Sequence, residues 1–120
     1  MATITKQLLS GSTNGMPISV TDTSTSNNTD AGYLIHTAIN NATDFDEIWI
    51  WATNIHTAAV VLTLECGTKD ENEHIKAIVN PNETVLVCPG MILNNSKVMC
   101  AFASVADKLN LFGFVNRLDY

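Results

Sequence analysis

Three histidines, His36, His56 and His74, and two acidic groups, Asp70-Glu71-Asn72-Glu73 and Asp44 with Asp46 and Glu47, are the residues with the means to hold a metal or move a proton. Their spacing does not organise them. Metal sites on β-sandwich enzymes set two histidines one residue apart with a glutamate shortly after on the same strand, whereas each histidine here stands alone, as surface and interface histidines do. A calcium loop alternates its oxygen ligands around a turn glycine, and neither acidic group has that pattern, so both read as solvated acidic surface. Nucleophilic catalysis also lacks its parts. There is no Gly-x-Ser-x-Gly elbow, and Cys66, Cys88 and Cys100 have neither a neighbouring histidine nor a helix start to lower their pKa. Odd in number, far apart and each within or at the end of an apolar run, the three cysteines read as reduced core residues. We expect no enzyme activity, no metal and no cofactor.

Ring stacking is the remaining chemistry, and both tryptophans fall in Phe45-Asp46-Glu47-Ile48-Trp49-Ile50-Trp51-Ala52-Thr53-Asn54, the central strand of the chain. Side chains alternate across a strand, so Phe45, Trp49 and Trp51 share one face while Ile48, Ile50 and Ala52 share the other. Neither face reads as wet, which predicts protein on both sides, one cover being the core and the other a partner subunit. Each tryptophan can bury roughly 150–250 Å², worth about 4–6 kcal/mol of gross hydrophobic gain at ~25 cal/mol per Å². Trp49 and Trp51 offer sugar-stacking surfaces too, but Ile48 and Ile50 beside them favour core or interface burial.

Composition sets the frame for these residues. At 120 residues the chain is one domain, 1–120, long enough to bury a core without disulfides or metal. Only 15% of residues are charged and 46% are hydrophobic, with Thr, Asn and Ser dominating the polar remainder, which suits a β-rich assembly protein. The net charge of -6 argues against nucleic acid, whose phosphates need Lys and Arg to displace counterions. No apolar run approaches the ~18–20 residues of a membrane-crossing helix, and the amino terminus does not read as a secretory signal. The expected site of synthesis is the cytosol, with no membrane partner.

Along the chain, Thr3 to Leu9 reads as a first strand or as an amino-terminal arm within residues 1–12, with Ile4, Leu8 and Leu9 as its apolar contacts. Asn14-Gly15 is a tight-turn pair returning the chain into Met16 to Val20, and 21–32 is an exposed polar loop. Further strands are expected at Tyr33 to Ile39, Ala58 to Cys66, Glu73 to Val79, Glu83 to Cys88, Lys97 to Val105 and Leu109 to Arg117. The central strand and Ala58 to Cys66 are expected to form a hairpin, Pro89-Gly90 to close its strand, and Met91 to Leu93 to be a short link. In the last two strands Phe102, Phe112 and Phe114 join the tryptophans as core or interface candidates. Short strands, frequent turns and no sustained helical period predict an all-β antiparallel β-sandwich, jelly-roll-like rather than immunoglobulin-like, because the Cys-Trp-Cys spacing of the latter is missing.

Three stretches carry a resemblance: the opening Met1-Ala2-Thr3-Ile4-Thr5-Lys6-Gln7-Leu8-Leu9-Ser10-Gly11-Ser12-Thr13-Asn14-Gly15, the centre Asp46 to Asn54, and the ending Leu109-Asn110-Leu111-Phe112-Gly113-Phe114-Val115-Asn116-Arg117. In style and segment order they resemble small β-rich virion proteins of tailed bacteriophages, most of all capsid decoration (cement) proteins. The resemblance implies a compact β-sandwich that forms a homo-oligomer, a trimer, binds the major capsid protein on the outer head surface of the virion and stabilises the shell. The long 21–32 loop departs from the more compact examples. A head–tail or tail-associated structural protein is the alternative within this class, and a carbohydrate-binding module the alternative outside it.

Overall fold

The computed structural model describes residues 2–23, 33–68 and 71–120. Most of the expected polar loop, residues 24–32, and Asp70 of the acidic group lie outside the described residues. The described chain forms nine strands: β1 Thr3–Gln7, β2 Ile18–Ser19, β3 Tyr33–Thr37, β4 Phe45–Asn54, β5 Val60–Gly67, β6 His74–Val79, β7 Thr84–Leu93, β8 Val98–Ala103 and β9 Leu109–Asp119. All pairings between them are antiparallel. A first sheet runs β7, β4, β9, with β1 and β2 sharing the far edge of β9; the second runs β3, β8, β5, β6. The protein is all-β, two antiparallel sheets closed over one core.

β4 is the axis of the first sheet because its ten residues alternate without a break. Asp46, Ile48, Ile50, Ala52 and Asn54 are all fully buried, while the intervening residues are half-buried. β9 lies beside it in a ladder from Phe45 opposite Leu118 to Asn54 opposite Leu109 and adds Leu109, Leu111 and Val115 to the same interior. Leu62 and Leu64 of β5 and Met99, Ala101 and Ala103 of β8 close the core from the second sheet. Within this chain the Ile48 and Ile50 face of β4 is core, as expected, and the Trp49 and Trp51 face is the half-covered outer surface of the first sheet.

The expected hairpin between the central strand and its successor is not formed. β4 pairs with β7 and β9, whereas β5 lies in the other sheet between β6 and β8. Buried Asn54 accounts for the crossing: its amide donates to the carbonyls of Ala58 (3.0 Å) and Val79 (2.8 Å), and its side-chain oxygen accepts from the His56 N–H (2.7 Å). These bonds turn the chain out of β4 and across to the opposite layer. Asn14 and Gly15 have positive φ, 55° and 79°, and do make a turn, but the strands on either side pair with β9 and not with each other.

A second correction concerns β7, which continues through Pro89-Gly90 to Leu93 instead of ending there. β7 is an edge strand, where a proline without an N–H costs no ladder bond, and its register against β4 shifts between Ile48 and Trp49 and again between Ile50 and Trp51. Gly90 sits in this irregular stretch with φ 77°, and a Cβ on it would lie 2.9 Å from Trp49 Cζ2. Gly90→Ala is therefore expected to cost about 1–2 kcal/mol for the left-handed backbone alone, with a further loss from the displaced indole. Urea unfolding and tryptophan fluorescence measured together check both parts.

Candidate functional site

The outer face of the first sheet holds the densest group of chemically distinctive side chains. Register brings them together: Trp49 is opposite Phe114, and Trp51 is opposite Phe112 on β9 and Leu86 on β7. The rings of Trp49, Trp51 and Phe114 lie 6.0–6.4 Å apart at interplanar angles of 12–28°. Lys6 of β1 places its ammonium 4.6 Å from the centroid of Phe114, a cation–π contact closing the cluster on the β1 side. Trp49 donates its indole N–H to Glu47 Oε1 at 2.7 Å, and Asn116 donates to the same oxygen at 3.1 Å. Those two hydrogen bonds, the one from Trp49 first, hold the Glu47 carboxyl below its ordinary range.

Around this cluster the face stays apolar and open. Phe112 is 42% exposed and Ile92 57%, and Leu86 and Ile4 are also exposed. Residues opposite each other on antiparallel strands point to one side of a sheet, so Ile92 opposite Glu47 and Ile4 opposite Leu118 belong to this same face. At the rim, Phe45 meets the ring of Tyr120 edge-on at 5.4 Å. The arrangement offers a broad apolar band whose polar handles are already bonded within the chain. In this geometry the band is suited to apolar contact.

The remaining candidates are dispersed. Ile48 and Ile50 are core, and Phe102 is buried on the outer face of the second sheet with His74 edge-on to its ring at 5.6 Å. Of the proposed arm contacts, Ile4 and Leu8 are exposed while Leu9 is 1% exposed and part of the core. β1 itself is a strand paired with β9. Among the described residues no group of three or more His, Cys, Asp or Glu side chains is arranged to hold a metal. Burial pushes the Cys66 thiol up to about 12 and raises Cys88 as well, so both stay protonated; none of the three cysteines is in a disulfide.

Two histidines are not the isolated groups their spacing suggested. His74 Nε2 lies 3.2 Å from Glu65 Oε2. His36 is buried beside Asp46, with Nε2 2.7 Å from Oδ2, and Arg117 donates to the same carboxylate from Nε (2.7 Å) and Nη2 (2.9 Å). The signal for the second group was present in β4: Asp46 shares the phase of Ile48 and Ile50, and a charge in a dry phase requires a partner. What alternation could not give was the bulge between Leu34 and His36, which lets both Ile35 and His36 be buried. No family model matches this chain, and no curated protein or solved structure matches it.

Proposed function

We propose that this chain is a structural protein of a tailed-phage virion, a capsid decoration protein that binds the outer head surface as a symmetric trimer and stabilises the shell. The observation that carries the reading is the open apolar band on the first sheet, Phe112, Ile92, Leu86 and Ile4 around the Trp49, Trp51 and Phe114 cluster. Bands of this kind mark surfaces that associate, and cyclic closure is the economical way to cover them in identical copies. Cementing then needs only a stiff body and several weak contacts to the major capsid protein, multiplied by the oligomer. Exposed Leu8 of the amino-terminal segment is the capsid-facing contact in this reading, while Ile4 belongs to the band.

A jelly-roll topology belongs to the same proposal. The strand orders β2-β9-β4-β7 and β3-β8-β5-β6 support it, as does a chain that from β2 onward changes sheet at every connection except β5 to β6. The carbohydrate-binding alternative is weakened by internal bonding: Trp49 rests on Gly90 and gives its N–H to Glu47, and Lys6 sits over Phe114, leaving few free ring faces or polar handles for a sugar.

Light scattering of the free protein at tens of micromolar is expected to give three times the 13.0 kDa chain mass. Particles made without the protein are expected to rupture at lower temperature or internal pressure than complete ones. Equal robustness, together with glycan binding lost on replacing Trp49 and Trp51, would transfer the site to the carbohydrate class. Labelling at the tail in place of the head would move the protein to the tail-associated alternative.

A further inference from the structure

We propose that His36 is an acid-sensitive clasp that fixes the amino-terminal segment, residues 2–11, to the sandwich, and that adding a proton to its imidazole loosens that segment. The geometry fixes which nitrogen carries hydrogen. Asp46 is fully buried and already accepts from Arg117 through both oxygens and from the Ile39 N–H at 3.2 Å, so it is an ionised acceptor. Nε2 of His36 must therefore be the donor in the 2.7 Å contact with Asp46 Oδ2. Nδ1 is then the bare nitrogen, and it accepts the Ser10 backbone N–H at 2.9 Å. A second proton, on Nδ1, would set two donors against each other in a site where His36 is 2% exposed and water has little access.

Ser10 is where such a conflict matters. Its hydroxyl accepts the Thr37 N–H at 2.7 Å, and the next residue, Gly11, donates its N–H to the Ile35 carbonyl at 2.8 Å. The fit is close: a Cβ on Gly11 would lie 2.6 Å from that carbonyl oxygen. Upstream, Leu9 is buried, but four of the five residues of β1 are exposed and the strand is held through its ladder with β9. Little apolar burial therefore secures β1, and the knot at Ser10 and Gly11 is the stitch that joins this segment to the other sheet.

The charged groups facing His36 are Asp46 from β4 and Arg117 from β9; the amino-terminal segment presents the Ser10 amide. Burial lowers the His36 pKa below the ordinary 6.5, Asp46 pulls it back up, and Arg117 pushes it down again. Between the folded value and 6.5 the unfolded or detached segment leaves a histidine that binds more protons than the clasped one. Clasping is thus at full strength above 6.5 and weakens as pH falls toward the folded value. This inference is independent of the capsid reading.

Hydrogen exchange of the full chain, compared at about pH 7.5 and about pH 5 after correction for intrinsic rates, tests it. Peptides covering residues 3–11 are expected to lose protection in acid relative to the β5–β6 hairpin, the direction set by the lowered His36 pKa. His36→Gln cannot take up the proton, so this acid-induced difference should vanish in it. Nitrogen chemical shifts of the wild-type ring supply a readout that needs no variant: the neutral Nε2–H tautomer at neutral pH, and loosening of residues 3–11 that tracks the ring's titration. An Nδ1–H tautomer, unchanged relative protection of 3–11, or acid loosening that persists in His36→Gln would each overturn the proposal.

Discussion

Asp46→Ala is expected to lower the free energy of unfolding by about 3–5 kcal/mol, because it removes one partner of a buried ion pair and leaves the others without an acceptor. The carboxylate receives hydrogen bonds from Arg117 Nε and Nη2, His36 Nε2 and the Ile39 amide. Its loss strands the Arg117 guanidinium, 26% exposed, on the rim and the His36 imidazole inside. Burial alone pushes the Asp46 carboxyl up, but the hydrogen bonds from Arg117 and His36, with the two charges, bring it below its ordinary 3.8. Stabilisation by Asp46 is therefore complete above 3.8 and is lost as pH falls through the lower folded value. Asp46→Asn, which keeps the shape but not the charge, should flatten that acid limb. Urea unfolding across this pH range reads both effects. A loss under ~1 kcal/mol for the alanine variant, or an unchanged acid limb in the asparagine variant, would mean that the pair adds nothing beyond its solvation cost. Replacing Asp46 and Arg117 together by apolar residues should recover part of the loss, since no charge is then left behind.

What could be read from the sequence divides along a physical line. Strand positions were legible because alternation is local: the central strand begins at Phe45 and ends at Asn54 as its pattern says, and Ile48 and Ile50 occupy the face opposite Trp49 and Trp51. Strand partners were not, because alternation fixes which face a residue takes and leaves its neighbour open. Asn54 shows the difference, since an asparagine after a strand reads as an ordinary turn residue, and only the distant Val79 carbonyl reveals it as a bracket between sheets. Pro89-Gly90 misled for a related reason: the pair that ends most strands is tolerated inside an edge strand, and edge position is a property of the sheet. Of the aromatic band, the tryptophans and phenylalanines were legible as a group. Leu86 and Ile92 were not, because only the shifted β4–β7 register carries them onto the same face.

Phe112→Glu is expected to separate assembly from folding more sharply than any other substitution on the band. Phe112 points outward opposite Trp51, is 42% exposed, and is not part of the core cluster, so its removal should cost the isolated protomer no more than about 1 kcal/mol. At a dry contact between copies the same change buries a carboxylate with no partner, a penalty of at least ~2 kcal/mol, or roughly 30-fold in dissociation constant at each interface. A closed ring repeats the lesion at every contact, so a trimer should fall to single chains at concentrations where the wild type is fully assembled. Ile78→Glu is the matched control, because Ile78 is still more exposed but lies on β6 of the second sheet. Sedimentation of both variants over a concentration series, with their melting temperatures, makes the comparison. The expected result is a 13.0 kDa species for Phe112→Glu and the wild-type mass for Ile78→Glu, both well folded. Wild-type assembly by Phe112→Glu would remove the first-sheet face from the interface, and with it the observation on which the capsid reading stands.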